Sequence, residues 1–148
     1  MSKFWMPFAK NITIIGGDLV GLELAEFLLD RGRNITVLEP SKNLGTNLSI
    51  VRRARLIHQL KDKGANLIID ATVHEINKKS INYTLNKTDA SCTADQVIIA
   101  LGANSDDSLS REIMKLGFKV QSIGDCHNIG YIEGAIRGAR ELVKNLNR

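Results

Sequence analysis

Residues 11–40 read NITIIGGDLVGLELAEFLLDRGRNITVLEP. NITII at 11–15 is a β-branched apolar run of strand length that stops at Gly16-Gly17. Beyond it Val20, Leu24, Phe27 and Leu28 recur at helical spacing, which predicts one apolar helix face. Gly32 closes that helix at the C′ position, where a left-handed residue is favoured, and NITVL at 34–38 supplies a second strand ending at Glu39-Pro40. Strand, tight turn, helix and strand in about 30 residues make a βαβ unit. Its right-handed crossover lays the two strands parallel and adjacent, with the helix covering one face.

Working outward, Ile50, Val51, Ala54, Ile57 and Leu60 repeat at helical spacing as far as Gly64, and ANLII at 65–69 reads as a third strand. Residues 72–76, 80–85 and a stretch near Ser91 alternate between turn-forming segments, the pattern of a small antiparallel meander. VIIAL at 97–101 is the next buried strand. Asp107 or Ser108 caps a short helix running to about Leu116, residues 118–123 predict a final strand, and a last helix spans about 131–145. Helices are expected on both faces of the sheet. The fold class is α/β: a Rossmann-like doubly wound parallel sheet with a small antiparallel β-meander. No composition break marks a linker, so residues 11–148 read as a single domain preceded by a tail, residues 1–10, that carries Phe4, Trp5 and Phe8.

The chain has 148 residues, 43% hydrophobic and 24% charged, which excludes a disordered or low-complexity polymer. No apolar run approaches the ~20 residues that cross a bilayer, and MSKFWMPFAK lacks the apolar stretch of a signal peptide, so a cytoplasmic protein with no membrane partner is expected. Cys92 and Cys126 form no CxxC pair, and no metal site is expected. Cys126 and His127 are adjacent in sequence, an arrangement that seldom aims two side chains at one another. The net charge of +4 is scattered. Arg52, Arg53, Arg55, Lys61 and Lys63 read as the solvated face of a helix, with no accompanying aromatic stripe, so nucleic acid is not an expected partner. A weakly positive chain does suit phosphates on small molecules.

In a doubly wound sheet, ligands sit beyond the carboxyl ends of the strands, which directs attention to the turn after the first strand. The dinucleotide fingerprint there is G-x-G-x-x-G: one glycine for the turn, one for close approach of a diphosphate, one for helix-strand packing. This chain has Gly16, Gly17, Asp18, Leu19, Val20 and Gly21, so Gly16 and Gly21 match and Asp18 stands at the second glycine. Glu39, at the end of the second strand, is placed to accept hydrogen bonds from ribose hydroxyls. An acid there favours NAD, or the adenosine of FAD, over NADP, whose 2′-phosphate it repels. The same glycines also suit a helix-packing turn that holds no ligand. Asp18 bears on the choice, because an aspartate at a helix start is able to cap the helix with the very amides a diphosphate needs, so a dinucleotide, NAD or FAD, is expected to bind weakly, or only when Asp18 swings away.

Three segments, GGDLVGLELAEFLLDRGRNITVLEPS, DQVIIALGAN and VQSIGDCHNIGYIEGAIRGAREL, together resemble the carboxyl-terminal region of the enoate reductase and 2,4-dienoyl-CoA reductase family. Those are flavoenzymes related to Old Yellow Enzyme, with an FMN-bearing TIM barrel, an iron-sulfur cluster and an FAD/NAD(P)-binding region. The resemblance covers nearly all of residues 11–147 and implies nucleotide contacts at Gly16, Gly21 and Glu39, with Asp18 departing from the family glycine. It assigns Asp125 of the IGD-C segment to the ribityl or phosphate region of a flavin; the bland alternative for Asp125 is a cap on the last helix. Gly102 and Ala103 serve either backbone approach to a ligand or simple turn chemistry. Gly134, Ala135, Gly138 and Ala139 give a small-residue face suited to close helix packing. The resemblance extends to the terminal piece alone, without the barrel, the FMN site, the cluster cysteines or the other FAD half.

The sequence-level expectation is therefore a dinucleotide-binding module, for NAD(H) or FAD, of a flavin/pyridine-nucleotide oxidoreductase, incomplete as a catalyst by itself. No residue stands out as a base or nucleophile: His58, His74 and His127 read as structural or solvated. The alternative is a non-catalytic interaction domain with a degenerate nucleotide site that docks a flavoprotein partner, or a second copy of itself.

Overall fold

The structure is a computed structural model and describes residues 7–146; Phe4 and Trp5 of the expected tail lie outside them. The chain divides into two compact units, Met1–Gly102 and Ala103–Arg148, a boundary that composition gave no sign of.

In the first unit the strands β1 (Asn11–Ile15), β2 (Asn34–Leu38), β3 (Asn66–Ile68) and β7 (Gln96–Ile99) form one parallel sheet in the order β3-β2-β1-β7. Ile15 stands in register with Leu38 on one side and Ile99 on the other. The helices α1 (Leu19–Leu29) and α2 (Ile50–Asp62) connect β1 to β2 and β2 to β3. Between β3 and β7, β4 (Ala71–Ile76), β5 (Ser80–Leu85) and β6 (Thr88–Thr93) form the antiparallel meander. These elements follow the sequence reading within a residue or two.

Because side chains alternate along a strand, β1 and β2 each serve two cores. Ile12, Ile14, Ile35 and Val37 meet Leu22, Ala25 and Leu28 of α1 and Leu56 and Leu60 of α2. Ile15 and Leu38 point the other way, into a cluster with Ala71, Ile81, Tyr83 and Ala94. Each fully buried aliphatic side chain contributes about 1.5–3 kcal/mol. Within this unit both helices therefore lie on one face and the meander covers the other. The cause is local: β3 passes through Asp70, at φ +53, directly into β4, so no helix follows it. Phe8, the one described aromatic of the tail, packs on the helix-side core, and Ala9 N–H donates to Gln96 Oε1 at 3.0 Å.

The helix faces also differ from the reading. In α1 the buried positions are Gly21, Leu22, Ala25 and Leu28, whereas Val20 and Phe27 are exposed, Phe27 lying under the Arg31 guanidinium. In α2 they are Leu56 and Leu60, with Ile50 and Val51 exposed. An apolar stripe read by spacing alone slips by a residue when apolar side chains occupy neighbouring faces. Gly32, at φ +71, makes the turn after α1 two positions past the C-cap Asp30, one later than expected.

The second unit contains α3 (Ser108–Lys115), a 3-10 turn (Gly124–Cys126) and α4 (Tyr131–Leu146). Among its described residues none is buried. Residues 118–123, expected as a strand, are not one: a strand exists by pairing with a neighbour, and this stretch pairs with none of the described strands. No helix among the described residues is long and apolar enough to cross a membrane.

Leu56→Ala, which empties a fully buried site, is expected to lower stability by about 2–5 kcal/mol in urea unfolding, against less than ~0.5 kcal/mol for Val51→Ala on the exposed face.

Candidate nucleotide site

The turn after β1 is built by backbone contacts that admit no side chain. Gly16 adopts φ +109, and a Cβ there would lie 2.3 Å from the Ala100 carbonyl oxygen beyond β7. A Cβ on Gly21 would lie 1.9 Å from Gly16 O. These are the roles the fingerprint gives its first and third glycines. Gly17 is closed in as well: its Cβ would meet Leu44 Cδ2 at 2.4 Å, its N–H donates to Glu39 Oε2 at 2.6 Å, and its carbonyl accepts from Gly45 N–H at 2.8 Å.

Glu39 is thus brought into contact with the glycine turn. It is buried, and its other oxygen, Oε1, accepts from Ser41 N–H at 2.9 Å. The sequence predicted an acceptor for ribose; the structure adds that the same carboxylate braces the turn. A carboxylate has lone pairs to spare for further donors, so the two roles are compatible.

Asp18 occupies the N-cap position of α1, yet its side chain makes no hydrogen bond to the helix, so of the two arrangements the sequence left open, capping and swinging away, it does not adopt the first. Its carboxylate turns instead to the loop after β2: Oδ1 accepts from Asn47 N–H at 2.9 Å and Oδ2 accepts from Asn47 Nδ2. Asp18 O takes the first helical bond, from Leu22 N–H at 2.9 Å. Leu19 and Val20 form the opening turn, and the Val20 side chain is exposed. Leu44, Gly45 and Asn47, which shape this site, carried no signal in the sequence beyond a glycine in a loop.

Gly102 has φ +91, a conformation that favours glycine, and a Cβ there would find nothing within 4 Å. A cleft of about 370 Å³ is lined by Ile15, Ile99 and Leu101 together with Val73, His74, Glu75 and Ile76 of β4.

Asp125 lies in the second unit. Its Oδ1 accepts from Gly130 N–H and Tyr131 N–H, both at 2.9 Å, so it caps the start of α4. The small-residue face of α4 is half-buried, at ordinary contact distance and not closer: a Cβ on Gly138 would lie 3.6 Å from Ile123 Cβ, whereas one on Gly134 would find nothing within 4 Å.

Other chemistry-bearing side chains are dispersed over the described residues. His58 Nε2 is 3.3 Å from Asp62 Oδ2 on an exposed helix surface. Cys92 is half-buried with Thr13 Oγ1 at 3.9 Å, and burial pushes its thiol pKa up; Cys126 is exposed and donates to Ile123 O. Among the described residues no cluster of His, Cys, Asp or Glu is arranged to hold a metal ion.

The cradle fits an anionic dinucleotide: two glycines where a Cβ would collide with backbone, a first helical turn that no side chain caps, and an acid at the end of β2. A parallel sheet bearing such a turn defines a dinucleotide-binding α/β protein of the Rossmann type. The profile of the pyridine nucleotide-disulphide oxidoreductases matches residues 1–127, and the chain belongs to that family of FAD- and NAD(H)-binding proteins. Among curated relatives, an NADH oxidase of Thermoanaerobacter brockii is 26% identical over 86% of this chain and 20% of its own length. A cinnamate reductase of Clostridium sporogenes is 26% identical over 93% and 21%, and a nitric oxide reductase FlRd-NAD(+) reductase of Aliivibrio fischeri is 26% identical over 93% and 42%. The chain therefore spans between a fifth and two fifths of these relatives. A solved 2-naphthoyl-CoA reductase shares the fold, with TM-score 0.79 and 24% identity over 93% of this chain and 21% of the larger one.

Gly21→Ala is expected to lower stability by more than ~3 kcal/mol, because the new methyl meets backbone that cannot yield cheaply; thermal unfolding measures it. Titration with a chromogenic disulfide should show Cys126 reacting at once and Cys92 much more slowly, since partial burial limits access to its sulfur and the raised pKa reduces its thiolate.

Proposed function

We propose that this chain is the dinucleotide-binding module of a flavin/pyridine-nucleotide oxidoreductase, resembling the C-terminal part of NADH-dependent enoate and dienoyl-CoA reductases. The observation that carries the reading is the Glu39 carboxylate held 2.6 Å from Gly17 N–H, beside an α1 start whose amides no side chain caps. Gly16, Gly17, Asp18, Leu19, Val20 and Gly21 cradle the diphosphate, Glu39 takes the ribose, and Gly102 flanks them. Asp125 is assigned to a flavin on the strength of the resemblance, beyond its capping of α4. Bound NADH supplies a hydride; the protein supplies binding and orientation, and no side chain is assigned an acid-base step. Similarity to a cinnamate reductase favours the enoate-type parent. The reading places the protein in the cytoplasm, with no nucleic-acid or membrane partner.

The second reading is a non-catalytic interaction domain that docks a flavoprotein or a second copy of itself. Asp18 at the second glycine and the absence of buried residues among 103–146 favour it. Mass spectrometry of ligands released from purified protein separates the two: a dinucleotide supports the first, an empty site with a copurifying flavoprotein the second.

Calorimetry tests the site itself. Two unit charges about 4 Å apart at an effective dielectric near 20 repel by roughly 4 kcal/mol, an upper bound, and half of that exceeds a tenfold change in affinity. Asp18→Gly is expected to tighten NADH by at most about tenfold, and NADPH to bind more weakly than NADH; unchanged affinity of the variant for both NADH and FAD overturns the charge penalty assigned to Asp18.

A further inference from the structure

We infer that Asn47 is the positioning residue that lets an aspartate stand at the second glycine of the fingerprint, by holding the Asp18 carboxylate off the first turn of α1. The inference rests on the dinucleotide reading above and adds a specific side chain to it.

An N-cap aspartate ordinarily turns its oxygens onto the amides of the second or third helical residue, and the positive end of the helix pulls it there. Asp18 has the extended backbone of an N-cap, φ −95 and ψ −162, and makes no such bond. Both of its oxygens are taken by one residue, Asn47, through the backbone N–H at 2.9 Å and through Nδ2. Asn47 is delivered by a clamped loop. Leu44 is buried against Gly17, Gly45 N–H donates to Gly17 O, and Gly45 at φ +61 is crowded by Leu22 and Leu48. The glycine turn thus fixes the loop, and the loop fixes the carboxylate. An asparagine meets the requirement because it offers a short neutral donor, whereas an acid at position 47 would repel Asp18. With Asp18 held to the side, the amides of Leu19, Val20 and Gly21 remain open to an anion.

The test uses the full chain with NADH and ADP-ribose as probes, in the natural Asp18 background and in Asp18→Gly. Asn47→Asp replaces the donor with a like charge, and Asn47→Ala removes the donor alone; position 47 is exposed, so both variants should fold. In the Asp18 background Asn47→Asp is expected to weaken both probes about tenfold and Asn47→Ala to weaken them less. In the Asp18→Gly background neither should matter beyond about twofold, since the carboxylate to be restrained is gone. Amide hydrogen exchange gives a readout independent of nucleotide: in Asn47→Asp the released carboxylate caps α1 and slows exchange at Val20 or Gly21. Equal loss of affinity in both backgrounds, or unaltered exchange at residues 19–21, overturns the inference. Failure of NADH to bind either background overturns the dinucleotide reading instead, and the exchange measurement then decides the role of Asn47 alone.

Discussion

A β-carbon at position 21 would stand 1.9 Å from the Gly16 carbonyl oxygen, so the end of β1 and the first turn of α1 are held at a separation that only glycine permits. Much of the first unit follows from that approach. It seats α1 flat enough for Leu22, Ala25 and Leu28 to reach Ile12 and Ile14. It aims the helix start past the carboxyl end of the sheet, the region where ligands gather in open α/β folds. The parallel neighbours of β1 complete the arrangement, β2 by carrying Glu39 to the turn and β7 by setting Ala100 against Gly16.

Two carboxylates near this turn have different fates, and environment separates them. Glu39 is buried, with each oxygen on a backbone amide, Gly17 for one and Ser41 for the other. Asp18 is half-buried at the mouth and engaged by Asn47. In the proposed site, one acid braces the turn and keeps acceptor capacity for a sugar, and the other is a charge to be kept aside from a diphosphate. The loop of residues 41–49 serves both, through Ser41 at one end and Asn47 at the other.

How much of this was legible depended on how local the cause was. β1, β2, the glycine turn and the meander are written in short runs whose alternation or turn residues determine them, and they fell where the sequence placed them. The position of Glu39 at the end of β2 also followed, because a parallel βαβ unit leaves few other places for it, but its hydrogen bond to Gly17 did not. The buried faces of α1 and α2 did not follow: Val20, Phe27, Ile50 and Val51 are as apolar as the residues that are buried, and only the packing of the helix against the sheet selects among them. The meander on the second face was missed for a related reason, since periodicity identifies strands without saying which layer they join. Asn47 was beyond reach altogether, being one polar residue in a loop whose importance comes from a partner 29 positions away. Residues 118–123 have strand composition, but strand structure is a property of pairs.

The uneven distribution of burial has a thermodynamic consequence. Apolar surface removed from water is the main source of the heat-capacity increment and of the denaturant sensitivity of unfolding. Since every buried residue among those described lies before position 103, the cooperative transition of this chain belongs to the sheet, its two helices and its meander. Calorimetric enthalpy and urea slope should both scale with roughly the first hundred residues rather than with the whole polypeptide.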